Sequence, residues 1–569
     1  MMPRFLANIR ASSPDDRIAA RMKDAGLACI LASERLQVFA GGIEMCPLEN
    51  DAGVILGLLH PHPLRNAGPP DTRAILATKG RCLTASHWGN YVALWSDGAE
   101  VRALRAPFGD QDAFYSAHRG GVVIASDLAL LEAALQARFT CAWTHVAAHL
   151  AGRGLRGADT CLAGVRELLG GECLVASPGG IGTETLWSPW DFTQPERVLT
   201  IEENAHRLRE LADTCIAARA APFEHVLIML SGGLDSSILA ASAAKSGARL
   251  SALTFTTGDP SGDERRYAET VSAHLDIPLV TAELALEAVD ISRSAAAHLP
   301  RPIARAFAQA IRACKREAAS GIGADAVFDG GGGDNLFCSL QSAAPLADRL
   351  RARGIGPSVW RTALDIAELA ESNVLTVAAH GIARAWFRPP DYRWQPDLRF
   401  LSDDVARTAS ALAAHRWLKA PRGALPGRAA HVALMIAVEN LIETWPGPLP
   451  ELAPLMAQPL IEHCLGIPSW EWVHAGHNRW AARQAFAERL PRMITARRSK
   501  GTPDSFSAAL YETRRSMLSE FLLDGVLVRE GILDRAALEN TLRDTTPVKG
   551  HDHLRILALA DVEAWARAF

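Results

Sequence analysis

No apolar run in this 569-residue sequence approaches the roughly 20 residues of a membrane-spanning helix; AGVILGLLH, from Ala52, stops far short. The start, MMPRFLANIRASSPDD, lacks the apolar core of a secretion signal, so a cytoplasmic protein that does not enter membranes is expected. Ten cysteines are spread singly from Cys29 to Cys464 without a Cys-x-x-Cys pair, which argues against a zinc ribbon or a disulfide framework and fits reduced thiols. A net charge of −4 and a pI near 6.5 provide no basic coat for nucleic acid. His60 and His62 have no neighbouring carboxylate or cysteine to complete a metal site. Internal repeats, coiled coils and low-complexity tracts are also missing.

What remains is an ordinary folded composition, 49% hydrophobic and 21% charged, in a chain too long for one core. Two domains are expected, with a turn-rich linker, SPWDFTQPERVL, near residues 188–200. Before it, short alternating runs broken by Gly, Pro and Asp predict antiparallel strands, and WSDG sits where a hairpin turn belongs. After it, strand and helix patterns alternate. VLIML, LSALTFTT, PLVTAEL and ADAVFD read as strands of a parallel sheet, with helices between and after them, so the fold class is α/β.

The chemistry concentrates in HVLIMLSGGLDSS, His225 to Ser237. Glycines between a strand and a helix expose backbone N–H groups, and the helix start adds the positive end of its dipole. Ser231, Gly232, Gly233, Leu234, Asp235, Ser236 and Ser237 therefore predict an anion nest, with the three hydroxyls as extra donors. A carboxylate beside a phosphate needs a cation between them, so Asp235 is read as a Mg²⁺ ligand. The lysine that ends a Walker A loop is missing, which makes ordinary γ-phosphate chemistry a poor fit. A second glycine run, FDGGGGDNLF, follows the last predicted strand and is expected to face the same crevice, as loops at the carboxyl ends of parallel strands do.

LSGGLDSS, FDGGGGDNLF and RLPRMITARRSKGTPDSF together resemble the asparagine synthetase type of ATP-dependent amide ligases, and GAEVRALRAPFGDQDAFYSAHRGGVVIASDLALL resembles the glutaminase-like domain of that family. The resemblance implies an N-terminal αββα domain of the Ntn type over residues 1–195 and an ATP-pyrophosphatase domain over 201–569. It implies ATP and Mg²⁺ as cofactors, with Asp235 and Asp334 as metal ligands and Gly331, Gly332 and Gly333 beside the pyrophosphate. Backbone groups of Leu253, Thr254 and Phe255 would hold the adenine. Lys500 would stabilise charge at the α-phosphate and then at the acyl centre; taken alone, RRSK reads better as a solvated basic patch, and its position after Leu490-Pro491 is what favours the catalytic role.

The sequence departs from glutamine-using relatives in two places. Met2 stands where they carry the nucleophilic cysteine, so the first domain is expected to keep its fold without its reaction. Gly331 stands where β-lactam synthetases have a tyrosine. Glu439 lies near their glutamate and would position or deprotonate an amine, or else occupy the exposed face of an amphipathic helix. Four consecutive glycines resemble the lasso peptide macrocyclase branch, which implies a leader-free core peptide as substrate and a leader peptidase with its recognition element as partner. The alternatives are a β-lactam synthetase-like or other glutamine-independent amide ligase, then an asparagine synthetase or a non-catalytic scaffold. Replacement of the cysteine by Met2 predicts no glutamate from glutamine, with or without ATP; release above a heat-killed control would contradict it.

Overall fold

The computed structural model describes residues 3–10, 16–195, 199–256, 263–303, 305, 307–412, 414–441, 447–498, 504–544 and 550–569. The first twelve strands are β1 (Arg4–Ile9), β2 (Ala28–Ala32), β3 (Leu36–Gly41), β4 (Met45–Pro47), β5 (Gly53–Pro61), β6 (His87–Ser96), β7 (Val101–Arg105), β8 (Phe114–His118), β9 (Gly121–Ala125), β10 (Arg166–Glu167), β11 (Glu172–Ser177) and β12 (Gly180–Thr185). They form two antiparallel six-stranded sheets, ordered β10-β8-β9-β1-β3-β2 and β12-β11-β7-β6-β5-β4.

The period-2 alternation of each strand builds the layers. Phe5, Ala7 and Ile9 of β1 pack against Val92, Leu94 and Leu174 of the other sheet, while Leu6 points the opposite way, onto Ile18, Met22 and Leu130 of helices. On the far side Tyr91, Ala93 and Trp95 of β6 pack on Ile75 and Leu83 of two short helices. The result is a helix–sheet–sheet–helix stack. Its WSDG turn joins β6 to β7, with Gly98 at φ 87° and the Asp97 carboxylate accepting from the N–H groups of Ala99 and Glu100.

The second sheet system is parallel, ordered β15-β14-β13-β16-β17, from β13 (His225–Met229), β14 (Arg249–Thr256), β15 (Leu279–Glu283), β16 (Ala326–Phe328) and β17 (Glu451–Leu452). Its core strands read as continuous apolar runs because both faces are covered. Between the two systems, Ser188 starts a short helical turn at Pro189–Phe192, and Thr200 with Glu203 forms a capping box on the helix Ile201–Ala220. Residues 196–198 lie outside the described set. The helix Ile201–Ala220 packs Leu208, Leu211 and Ile216 into a core shared with Trp88, Phe108 and Trp187 of the antiparallel layers.

A buried charge cluster spans this junction. Glu167 of β10, fully buried, accepts from Arg105 Nη1 at 2.5 Å, from Arg156 Nε at 3.0 Å and from Arg301 Nη2. Burial alone would raise the Glu167 pKa, but the charges of Arg156, Arg301 and Arg105 outweigh it and hold the carboxyl well below its ordinary value. Arg156 also donates through Nη1 to the Glu439 carbonyl, so one guanidinium ties the antiparallel layers to the second unit. Because Glu167→Gln removes the carboxylate shared by three buried arginines and leaves Asp112 as the acid beside Arg105 and Arg156, it should cost about 3–5 kcal/mol, read as a lowered urea midpoint. A loss under about 1 kcal/mol would remove the cluster from the account of stability.

Candidate active site

Two loops meet at the carboxyl ends of β13 and β16. The first leaves β13 at Leu230, whose N–H donates to the Leu253 carbonyl at 2.8 Å, and enters the helix Leu234–Ala243 at Gly233. No side chain caps that helix start, so its first N–H groups face the crevice. Gly232 is required for two reasons: its φ is 68°, and a Cβ there would lie 2.4 Å from Tyr267 Cβ.

The hydroxyls of this loop divide by position. Ser231 Oγ accepts from Gly233 N and lies 3.2 Å from Ser236 Oγ. Ser236 and Ser237 both donate to the Gly233 carbonyl, at 3.2 and 2.7 Å. Ser237 is fully buried, as Leu234 nearly is, so its hydroxyl braces the loop from beneath. The sequence reading makes it an extra phosphate donor; here it is the most deeply placed of the three hydroxyls. Ser231 and Ser236 stay on the crevice side of the turn with the backbone of Gly232 and Gly233.

The second loop follows β16. Lys315, buried, donates to Asp329 Oδ2 at 3.2 Å and Glu451 Oε2 at 3.1 Å, and Asp329 Oδ1 accepts from Gly331 N at 2.8 Å. Burial lowers the Lys315 pKa, yet its two carboxylate partners raise it above the ordinary value, so the anchor stays charged. Three of the four glycines answer to packing. A Cβ on Gly330 would meet Ser236 backbone atoms at 3.0 Å, one on Gly333 would lie 2.4 Å from Asp235 Cβ, and Gly332 has φ 82° with Met456 Sδ 2.5 Å from its missing Cβ. Only at Gly331 would a Cβ find ordinary contact distances, 3.4 Å to Asp329 Oδ1 and 3.8 Å to Leu441. Close packing of the two loops therefore accounts for three of the four glycines.

This packing brings Asp235 and Asp334 together. One guanidinium nitrogen, Arg479 Nη1, donates to both oxygens of Asp235 at 3.0 Å and to Asp334 Oδ1 at 2.6 Å. The carboxylates thus converge on one cation, which is the arrangement expected of paired metal ligands. Two carboxylates suit Mg²⁺, which takes its other ligands from phosphate and water; no group of three or more candidate metal ligands occurs among the described residues. Arg479 has φ 56°, uncommon for a residue with a side chain. Its segment, NRWAARQAFAERL, reads from sequence simply as a helix, and nothing in the pattern marks it as a partner for residues 244 and 145 positions away.

The basic segment before Lys500 also reaches the first loop. Arg497 donates to Glu264 Oε1 at 2.6 Å and to the Gly232 carbonyl, and lies 3.7 Å from the centre of the Tyr267 ring. Arg498 pairs with Glu368. Lys500 and Met2 themselves lie outside the described residues. Leu253, Thr254 and Phe255 belong to β14, whose pairing with β13 ends at Met229–Leu253. Beyond that point the β13-facing edge of β14 extends past its neighbour, at the mouth of the first loop.

Glu439 is placed elsewhere. It caps the helix Pro426–Val438 and is 5% exposed, so the exposed-face reading is incorrect. Its Oε2 lies 2.6 Å from His415 Nε2 and its Oε1 accepts from Arg416 Nη2 at 2.8 Å. Burial would raise its pKa, but His415 and Arg416 overcome that and bring it to about 2. A carboxylate so fully paired is held as an anion by His415 and Arg416, which suits the positioning half of its expected role better than the deprotonating half.

If the glycines serve loop packing, Gly333→Ala should destabilise the protein by about 1–3 kcal/mol, while Gly331→Ala should stay within about 0.5 kcal/mol of the parent. Urea titration of both variants checks this, and equal effects would contradict it.

Comparison with known proteins agrees with this geometry. Over 294 residues the chain is 27% identical to carboxyethyl-arginine β-lactam synthase of Streptomyces clavuligerus, covering 49% of this chain and 50% of that enzyme. The chain thus spans about half the length of the curated relative it matches. Among solved structures, glutamine phosphoribosylpyrophosphate amidotransferase of B. subtilis, complexed with ADP and GMP, overlaps 49% of this chain and 65% of its own at 10% identity and TM-score 0.20. An allosteric regulatory enzyme of purine biosynthesis overlaps 50% and 80% at 9% identity and TM-score 0.21. These two overlaps are too weak to bear on the fold. The asparagine synthase profile matches residues 207–425 and 452–567, which hold both glycine loops, Asp235, Asp334 and Arg479, and the chain belongs to the asparagine synthase family.

Proposed function

We propose that this protein is an ATP-dependent amide-bond ligase that works through an acyl-adenylate, and that its product is a macrolactam of the lasso peptide type. The observation that carries the first part is the convergence of Asp235 and Asp334 beside an uncapped helix start. A carboxylate resists attack by an amine because oxide is a poor leaving group. Its oxygen would bond to the α-phosphorus of ATP as the α–β P–O bond breaks and pyrophosphate leaves. The amine then bonds to the acyl carbon, AMP departs and the amine gives up a proton.

The residues divide this work. The N–H groups of Gly232 and Gly233 and the hydroxyls of Ser231 and Ser236 would grip the β- and γ-phosphates. Asp235 and Asp334 would hold Mg²⁺, which when bound offsets the charge of the departing pyrophosphate. Arg479 keeps the two carboxylates from repelling each other here, and would yield its place between them when Mg²⁺ binds. The edge of β14 from Leu253 to Phe255 would offer backbone groups to adenine. Lys500 follows directly on the segment that Arg497 ties to the first loop, which supports its role at the α-phosphate. Glu439 would act as a support, positioning His415 and Arg416.

The peptide product rests on Gly331, where a tyrosine side chain is missing and a Cβ would meet no close contact. A leader peptidase is the partner this reading requires, because removal of the leader frees the N-terminal amine. The similarity to a β-lactam synthase favours a second reading, closure of a smaller ring by the same adenylation.

With ATP and a leader-free core peptide, turnover should yield AMP, pyrophosphate and a product about 18 mass units lighter than the linear peptide, lost when the core's acceptor Asp or Glu is changed to Ala. Asp235→Ala and Asp334→Ala should abolish adenylation. Lys500→Ala should retain ATP binding and lose about a hundredfold or more in rate. ADP and phosphate in step with product would overturn adenylation. Efficient conversion of free aspartate and ammonia, with peptides ignored, would overturn the macrolactam.

A further inference from the structure

Among the described residues, fourteen large hydrophobic side chains are more than a third exposed, and nine of them fall between Ile355 and Leu398. That concentration is not the scatter of a normal soluble surface. Its centre is the helix Val374–Ile382, which continues into a π-helical turn at Ala383–Phe387. The inner face carries Val377, Gly381 and Ala385, packed close on a neighbouring helix; a Cβ on Gly381 would lie 2.6 Å from Leu346. The outer face carries Leu375, Ala379, Ile382 and Trp386, all exposed, at spacings of four, three and four residues. That is the spacing of a helix–helix seam. A helix apolar on both faces is one that belongs in an interior, and here only one face is covered.

The exposures are large where they matter: Leu375 67%, Trp386 54% and the adjoining Phe387 80%. Tryptophan and phenylalanine anchors of this kind dominate protein interfaces. Beside Trp386 lies a cleft of about 530 Å³ lined by Leu350, Arg351, Gly354, Ala385, Trp386 and Arg388, without a carboxylate. Two guanidinium groups, those of Arg351 and Arg388, therefore flank this end of the stripe. The nearest acid in sequence, Asp391, accepts from the Ala420 N–H at 2.7 Å.

We infer that this face is a docking site for a partner protein, and that the partner presents an amphipathic helix whose apolar stripe is flanked by Asp or Glu. The charge argument selects this occupant. In a symmetric pair of this chain with its axis at the cleft, Arg351 and Arg388 would face their own copies, and like charges would oppose the contact. An acidic flank removes that repulsion and adds bidentate pairing to the arginines. The site lies outside both glycine loops, so the inference stands whatever reaction the enzyme catalyses.

Two synthetic helices with the same leucine stripe, one flanked by glutamate and one by lysine, test this by fluorescence anisotropy on the full-length protein. The glutamate helix should bind, weaken as salt is raised and lose about tenfold or more in affinity on Trp386→Ser or Ile382→Ser. The lysine helix should not bind. Met517→Ser, an exposed apolar change on another helix, should leave binding unaltered. Because the substituted side chains are exposed, all variants should keep the parent's thermal midpoint, and this is measured alongside. Equal binding of both helices, binding indifferent to Trp386, or no binding would overturn the inference. So would a parent that sediments as a dimer and becomes monomeric on Trp386→Ser, since a second copy would then be the occupant.

Discussion

Two carboxylates brought to one point in a crevice repel each other unless a cation lies between them, and Arg479 meets that requirement here. The constraint reaches outward. Asp235 is on the first turn of a helix that leaves β13, Asp334 on the loop that leaves β16, and the strands are neighbours in a parallel sheet. For the carboxylates to converge, the loops must touch, and they touch only because Gly330 and Gly333 lack side chains. Lys315 fixes the second loop from behind through Asp329, so one side of the crevice is built from charge and the other from close packing.

A second buried charge, Glu167, binds the antiparallel layers to the unit that carries the crevice. Its arginine partners come from three separate stretches, and Arg156 extends the network to the carbonyl of Glu439. Glu439 in turn holds His415 and Arg416, and Arg416 reaches back to the Gly170 carbonyl and to Glu172. The antiparallel layers therefore have a physical task, since they clamp the end of the helix Pro426–Val438. The same helix receives Asn335 of the second loop through the Leu434 carbonyl.

Family membership and the converging carboxylates support one chemistry, while the choice of product rests on small features of the acyl side. Gly331 is the position where the loop tolerates a side chain and has none. The exposed apolar helix beyond Asn373 is a separate feature, set by a surface that the chain itself does not cover.

Local pattern sufficed for much of this. Alternating runs specify the strands of the antiparallel stack, continuous apolar runs specify those of the parallel sheet, and LSGGLDSS specifies a turn with exposed N–H groups, because each of these depends on neighbours within a few residues. The roles of Ser237, Glu439 and Arg479 did not follow from pattern. Ser236 and Ser237 are alike in sequence terms, and the rotation of the helix decides that Ser237 is the more deeply buried of the two. Glu439 reads as a surface glutamate until His415 and Arg416 fold over it. Arg479 meets Asp235 across more than two hundred residues, a pairing decided by packing of the whole second unit. What the sequence by itself determined was the local geometry of the first glycine loop and the strands beneath it. Which charges meet there was decided by tertiary structure, because the Coulomb interaction depends on distance in space, and distance along the chain does not predict it.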